Sequence, residues 1–177
     1  MLDVSVSYNK YKFLGYEFLT WLWFTIENDQ KKIQSIDKEL VALEIGNKVT
    51  LENSSNNKNE TIVIKGDDAG LEEGMLSLKK GADVKDINLV YKSGDFKWQF
   101  TLKGESFSFE GLKVPETAPI ESQKDIEGAV IEKTFLYSKV IQLIDDIYME
   151  FLNERLSDKW ENDILYKIKE WINTEYK

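Results

Sequence analysis

The fold of this chain is decided by one aromatic segment, Tyr16-Glu17-Phe18-Leu19-Thr20-Trp21-Leu22-Trp23-Phe24-Thr25-Ile26-Glu27. Its aliphatic and aromatic residues recur at helical spacing, and its tryptophans widen the apolar surface almost all round the predicted helix. A helix that is hydrophobic on most sides is usually buried centrally or at an interface. We therefore predict a tryptophan-rich helix against which the rest of the chain packs.

The segments on either side of this helix show the two-residue period of β-strands. A weak alternation before it, at Val4, Val6 and Tyr8, predicts a short strand. After it, apolar residues alternate from 41 to 51 and are interrupted by Gly46-Asn47, which predicts a hairpin turn there. The polar run 53–59 predicts a mobile loop, and 61–65 predicts a further strand.

A short helix and a meander come next in the sequence. Asp68 can cap the helix, which Gly81 would end. Two strands then alternate between one apolar and one polar face. The residues predicted for the apolar face are Ile87, Leu89, Tyr91, Phe96, Trp98, Phe100 and Leu102.

The two prolines of the chain, Pro115 and Pro119, lie in a predicted linker from Val114 to Lys124. Beyond it, helical periodicity predicts a long amphipathic helix ending near Leu156 and a last helix capped by Ser157. We predict an α+β fold in which an antiparallel sheet is packed by the tryptophan helix and the C-terminal helices. Residues 1–123 form the sheet domain, and 124–177 pack on it as part of the same unit.

Several kinds of chemistry are excluded by composition. None of the 177 residues is cysteine or histidine, which removes disulfides, thiolate nucleophiles and histidine-dependent catalysis. The acidic pairs at 67–68, 72–73 and 145–146 lie in single segments rather than converging from several. We therefore predict a protein that is not an enzyme and has neither cofactor nor metal. A cytoplasmic protein with no membrane contact is expected, because no signal peptide or spanning segment is recognisable.

Three stretches resemble the C-terminal half of the RdgC family of recombination-associated proteins. The first is Phe18-Leu19-Thr20-Trp21-Leu22-Trp23, the second runs from Gly81 to Val114, and the third runs from Phe135 to Leu156. The resemblance implies a non-catalytic bacterial protein that binds double-stranded DNA with little sequence preference and assembles as a dimer. The sequence departs from the family at Ala82, where a lysine is expected after the glycine.

Lysines are the candidate DNA contacts, because they meet phosphates as point charges. Strand alternation puts Lys97 and Lys103 on one polar face, which Lys85 could join. The full candidate set is Lys79, Lys80, Lys85, Lys97 and Lys103. An ordinary solvated sheet face is the competing interpretation, and a net charge of −9 works against DNA binding.

The aromatic residues of the first and last helices are candidates for contacts between subunits or with a partner protein. They are Trp21, Trp23, Phe24, Trp160 and Trp171. Burial in the chain's own core is the competing interpretation. Two functions remain open at this point: an RdgC-like DNA-binding protein acting as a homo-oligomer, and a protein–protein interaction module that has lost DNA binding.

Overall fold

The computed structural model describes residues 13–37, 39–55, 58–66, 69–117, 119, 122–123 and 125–173. The strand predicted around Val4 to Tyr8 and the cap predicted at Asp68 lie outside these residues. The elements in chain order are α1 (Phe13–Asn28), α2 (Gln30–Ile36), β1 (Leu40–Ser55), β2 (Lys58–Lys65), α3 (Ala69–Lys79), β3 (Asp83–Ser93), β4 (Phe96–Lys103), β5 (Phe109–Lys113), α4 (Asp125–Arg155), a π-helical turn (Trp160–Ile164) and α5 (Leu165–Asn173).

The five strands form one antiparallel sheet in the order β2-β1-β3-β4-β5. A helix precedes the sheet in the chain, and two long helical segments follow it. The α+β class predicted from the sequence is therefore confirmed.

One face of the sheet is buried under the helices. Its aromatic and aliphatic residues share a single hydrophobic core with α1, α4 and α5. Trp98 is fully buried there, and its indole N–H donates to the carbonyl of Leu136 in α4 at 3.0 Å. Since residues on both sides of 124 belong to this core, the C-terminal helices pack on the same unit as the sheet.

The hairpin predicted at Gly46-Asn47 is absent, because β1 runs through this dipeptide as one strand. Between the pairs Ile45–Leu89 and Val49–Ile87, β1 carries more residues than β3 and forms a bulge. The glycine makes room for Asn88, since a Cβ on Gly46 would lie 2.0 Å from the Asn88 Oδ1. A glycine that looked like a turn signal is thus a point of close approach within a strand.

The polar run 53–59 also belongs mostly to strands. β1 extends to Ser55 and pairs with Lys58 at the start of β2, so the described residues show a hairpin rather than a long loop here. The two intervening residues, 56 and 57, lie outside the described ranges. The cross-strand ladder to β3 and β2 has overridden a composition that favours loops.

Among the described strands, none pairs with the start of β1 on the side where β2 lies, because β2 pairs only from Lys48 onwards. Two glutamines of α2 protect this open edge. The Gln34 side-chain amide donates to the Val41 carbonyl at 2.9 Å, and that of Gln30 donates to the Leu43 carbonyl at 2.7 Å. Side chains spaced one helical turn apart thus replace the missing ladder and blunt the edge against pairing with other chains.

Helix ends follow the prediction at one position and depart from it at another. Gly81 follows α3 with φ of 84°, the left-handed conformation that favours glycine after a helix. Ser157 does not act as a side-chain cap for the last helix, because its hydroxyl donates back to the Glu154 carbonyl at 2.8 Å. The chain instead re-enters helical structure through the π-helical turn.

Candidate nucleic-acid interface

The second face of the sheet carries the polar residues of every strand. Helices pack against the opposite face: a Cβ on Gly74 in α3 would meet Trp23 and Ile64, and Leu136 in α4 lies over Trp98. Strand alternation then assigns Gln99 and Thr101 of β4, with their β3 neighbours Val90 and Asn88, to the helix-free side. We call this side, on which none of the described helices packs, the outer face.

Lysines outnumber carboxylates on the outer face, although the whole chain has a net charge of −9. The lysines are Lys48, Lys65, Lys85, Lys92, Lys97, Lys103 and Lys113. The carboxylates are Glu44, Glu52, Asp83, Asp86 and Glu110. The described residues of this face therefore include seven lysines against five carboxylates, around a centre at Thr50, Asn88 and Val90 that is itself buried.

Two cross-strand pairs on this face bring lysines directly opposite each other. Lys48 faces Lys65 between β1 and β2, and Lys92 faces Lys97 between β3 and β4. Like charges in this position destabilise a sheet. Lys92 is compensated by Glu44, whose carboxylate lies 2.7 Å from its ammonium. An anion bound above either pair would relieve the repulsion.

Asp86 lies among the lysines at the centre of this face. Burial raises the pKa of its carboxyl group, and the nearby charges of Lys103, Lys85 and Lys48 oppose that rise. The charge of Asp86 therefore offsets part of the charge of these three lysines.

Two of the predicted lysines are held by carboxylates. Lys103 pairs with Glu110 at 2.9 Å, and this bond lowers the pKa of the Glu110 carboxyl group and raises that of the Lys103 ammonium group. Lys85 pairs with Glu52 at 3.3 Å. Both ammonium groups remain partly exposed, so phosphates can still approach them.

The five predicted lysines do not form one patch. Lys97 and Lys103 lie on one face as predicted, but at opposite ends of β4, about 20 Å apart. Lys79 ends α3 and Lys80 follows it on the helical side of the sheet, and the Lys79 ammonium group donates to the Asn173 carbonyl at 3.4 Å. These two residues therefore do not extend the outer face.

The sequence interpretation missed four lysines that the sheet brings onto the outer face. Lys48 and Lys65 were hidden because the predicted turn at Gly46-Asn47 obscured the register of β1 against β2. Lys92 and Lys113 lie at strand ends, where alternation alone gives a weak signal. A run of lysines at alternating strand positions is the feature that would have suggested them.

The tryptophans predicted as interface residues are packed inside the chain itself. Trp21, Trp23, Trp160 and Trp171 are all buried in the core, and Phe24 packs against it. The indole N–H groups of Trp23 and Trp171 both donate to Glu27, at 2.6 and 2.8 Å. In this fold the four tryptophans have almost no surface to offer a partner.

Within the described residues, no group of three or more aspartates and glutamates is placed to hold a metal ion. Of the predicted acidic pairs, Asp145 and Asp146 are exposed on α4. Among the described helices, none combines the length and apolarity that crossing a membrane requires.

Comparisons with known proteins identified no relative of this chain: no family model, curated protein or solved structure matches it.

Proposed function

We propose that this chain is a non-catalytic, RdgC-like protein that binds double-stranded DNA without sequence preference and acts as a homo-oligomer associated with recombination. The single observation that carries the proposal is the outer face, where lysines from all five strands converge on a helix-free surface of an otherwise acidic chain. The cytoplasm is the compartment in which we expect it to act.

The chemistry of this face suits phosphates rather than bases. Lysine ammonium groups act as point charges and lack the planar fork with which arginine reads guanine. The only arginine, Arg155, bonds Glu17 at 2.9 Å between α4 and α1. Contacts of this kind position a duplex and carry no sequence information.

The net negative charge of the chain should determine which face DNA approaches. A net charge of −9 repels DNA at long range, whereas the outer face attracts it at short range. Since both terms are screened by salt, binding should be confined to one face and weaken steeply as ionic strength rises.

Fluorescence anisotropy of a labelled duplex against the purified chain, at several salt concentrations, tests the proposal. The logarithm of the binding constant should fall linearly with the logarithm of salt, with a slope of about −0.9 for each phosphate neutralised. The variant Lys48→Gln/Lys97→Gln removes one member of each facing lysine pair. We expect it to bind more weakly and to reduce the slope by about 1.8.

A matched control comes from lysines of the helical layer. Lys133 and Lys159 are exposed on the helices, so Lys133→Gln/Lys159→Gln makes the same charge change away from the outer face. This control should bind the duplex with wild-type affinity and slope. Equal losses in both double variants, or no binding by the wild type at micromolar concentration in low salt, would refute DNA binding through the sheet.

A protein–protein interaction module is the second candidate function, and one observation favours it. The N-terminal half of α4 exposes large apolar side chains on several sides, whereas its C-terminal half is packed into the core. The most exposed of these are Val130, Ile131 and Phe135, at 59, 67 and 65%. Apolar surface of this kind typically marks a site of protein contact.

A further inference from the structure

A groove runs along one side of α4, between this helix and the start of β1 with the β3–β4 turn. It consists of two adjoining clefts of about 550 and 430 Å³ that share Glu39, Phe135 and Lys139. The groove is on the helical side of the protein. It borders the start of β4 at Phe96 but includes none of the lysines proposed to bind DNA. It is therefore a separate surface.

The walls of the groove are apolar and unusually exposed. Val41 of β1, Phe96 of β4 and Phe135 of α4 keep 53, 52 and 65% of their surfaces accessible. Beneath them the floor is formed by buried side chains, Trp98 and Leu136 in one cleft and Leu143 in the other. Exposed aromatic walls around a buried aromatic floor are the features of a pocket that accepts apolar anchors.

The rim of the groove is acidic. The carboxylates are Asp37, Glu39, Asp95 and Asp146. Lys139 is the one cation among the described lining residues, and its ammonium group bonds Glu39 at 2.5 Å and the Ser93 hydroxyl at 3.0 Å. Lys139 and Glu39 neutralise each other, so Asp37, Asp95 and Asp146 give the rim its net negative charge. Lys38 lies outside the described residues.

We propose that this groove binds a short amphipathic helix of a partner protein, with large apolar anchors on one side and lysines or arginines flanking them. The apolar walls supply the affinity, and the acidic rim selects basic flanks and rejects acidic ones. From Phe135 to Asp146, α4 is about 16 Å long, which matches three turns of a docked helix. The inference goes beyond DNA binding and specifies the partner chemistry of the second candidate function.

Three synthetic 14-residue peptides are suitable probes. Each is an amphipathic helix with leucine on one face, and the other face carries lysine, glutamine or glutamate. Fluorescence anisotropy against the whole chain at near-physiological salt should rank them lysine, glutamine, glutamate from tightest to weakest. We expect at least a tenfold difference in Kd between the first and the last, because the rim charges attract one and repel the other.

Substitutions in and beside the groove separate docking from general attraction to an acidic protein. Phe135→Ala leaves all charges unchanged and should raise the Kd of the lysine peptide about tenfold, as the loss of a central aromatic contact does. Met149→Ala is the matched control, since this residue is 55% exposed on the same helix and does not line the groove. It should change the Kd less than about twofold. Phe96→Ala, on the opposite wall, should repeat the Phe135→Ala result.

Three outcomes would overturn the proposal. The first is that the three peptides bind alike or not at all. The second is that Phe135→Ala binds the lysine peptide as tightly as wild type. The third is that the wild-type chain dimerises in solution and Phe135→Ala makes it monomeric, which would assign the groove to a second copy. Duplex DNA binding should be unchanged in Phe135→Ala, so failure here and failure of the DNA proposal are distinguishable.

Discussion

The two faces of the sheet differ in the interactions that constrain their side chains: packing on the inner face and charge on the outer face. The inner face is an almost unbroken layer of aromatic and aliphatic side chains, with Tyr91 and Trp98 stacked 4.6 Å apart at its centre. The outer face carries lysines, carboxylates and amides, with threonines and the valines Val63 and Val90 between them. Packing specifies the inner face closely, because every methylene there has neighbours. Charge specifies the outer face less closely, because partly exposed side chains have few packed neighbours.

The largest effect should come from breaking the inner face. Trp98→Ala removes a fully buried indole and its bond to the Leu136 carbonyl. We expect the free energy of unfolding to fall by about 3–5 kcal/mol, measured by urea denaturation. Phe96→Ala, two residues away but 52% exposed, is the control and should cost far less. Both residues lie on the inner face and differ in exposure, so similar losses from both substitutions would contradict the burial of Trp98 in the core.

A smaller effect is expected where α1 meets the end of β4. A Cβ on Gly15 would lie 1.8 Å from the carbonyl oxygen of Gly104, and backbone cannot move aside as a flexible side chain can. Gly15→Ala should therefore lower the free energy of unfolding by about 1–3 kcal/mol.

The control for that substitution is a glycine inside α4. Gly128 has nothing within 4 Å of a built Cβ, so Gly128→Ala should stabilise the chain by about 0.5–1 kcal/mol. Thermal unfolding of both variants gives the comparison. A gain in stability from Gly15→Ala would show that α1 does not approach the sheet as closely as described.

The smallest effect on stability is expected on the outer face, at Asp86. Burial raises the pKa of Asp86 in the folded chain above its unfolded value, so the folded state holds this proton more tightly. Ionised Asp86 thus costs stability at neutral pH, and the cost disappears as pH falls through the raised pKa. Asp86→Asn should be more stable than wild type by no more than about 0.5 kcal/mol at pH 7. The difference should close in acid.

The same substitution removes a negative charge from among three lysines. Asp86→Asn should therefore bind duplex DNA somewhat more tightly than wild type at pH 7. Anisotropy titrations measure the affinity. Weaker DNA binding by this variant would mean that Asp86 positions the lysines rather than opposing them.

The elements with strong periodicity were predictable from sequence, and those set by distant contacts were not. The tryptophan helix, the meander over Ile87 to Leu102 and the helix end at Gly81 have local signals that agree with their packing. The turn predicted at Gly46 was wrong because this glycine leaves space for the side chain of Asn88, a residue 42 positions away. The edge protection by Gln30 and Gln34 could not be predicted either, because nothing in the sequence near a helical glutamine indicates which distant carbonyl it bonds.

The candidate site was only partly predictable for the same reason. Alternation within β4 placed Lys97 and Lys103 on one face, since that relation is local. Lys48, Lys65, Lys92 and Lys113 join them through strand register, which depends on the bulge in β1. Lys79 and Lys80 were wrongly grouped with the sheet lysines, because they lie at the end of α3, in the helical layer.

The central claim is that the outer face is where this chain meets DNA. Lysine modification with an amine-reactive reagent, read by mass spectrometry with and without a saturating duplex at low salt, tests it most directly. We predict protection of Lys48, Lys65, Lys97 and Lys113, with Lys133 and Lys159 modified equally in both samples. Protection confined to the helical layer, or no protection anywhere in the presence of bound duplex, would contradict the account.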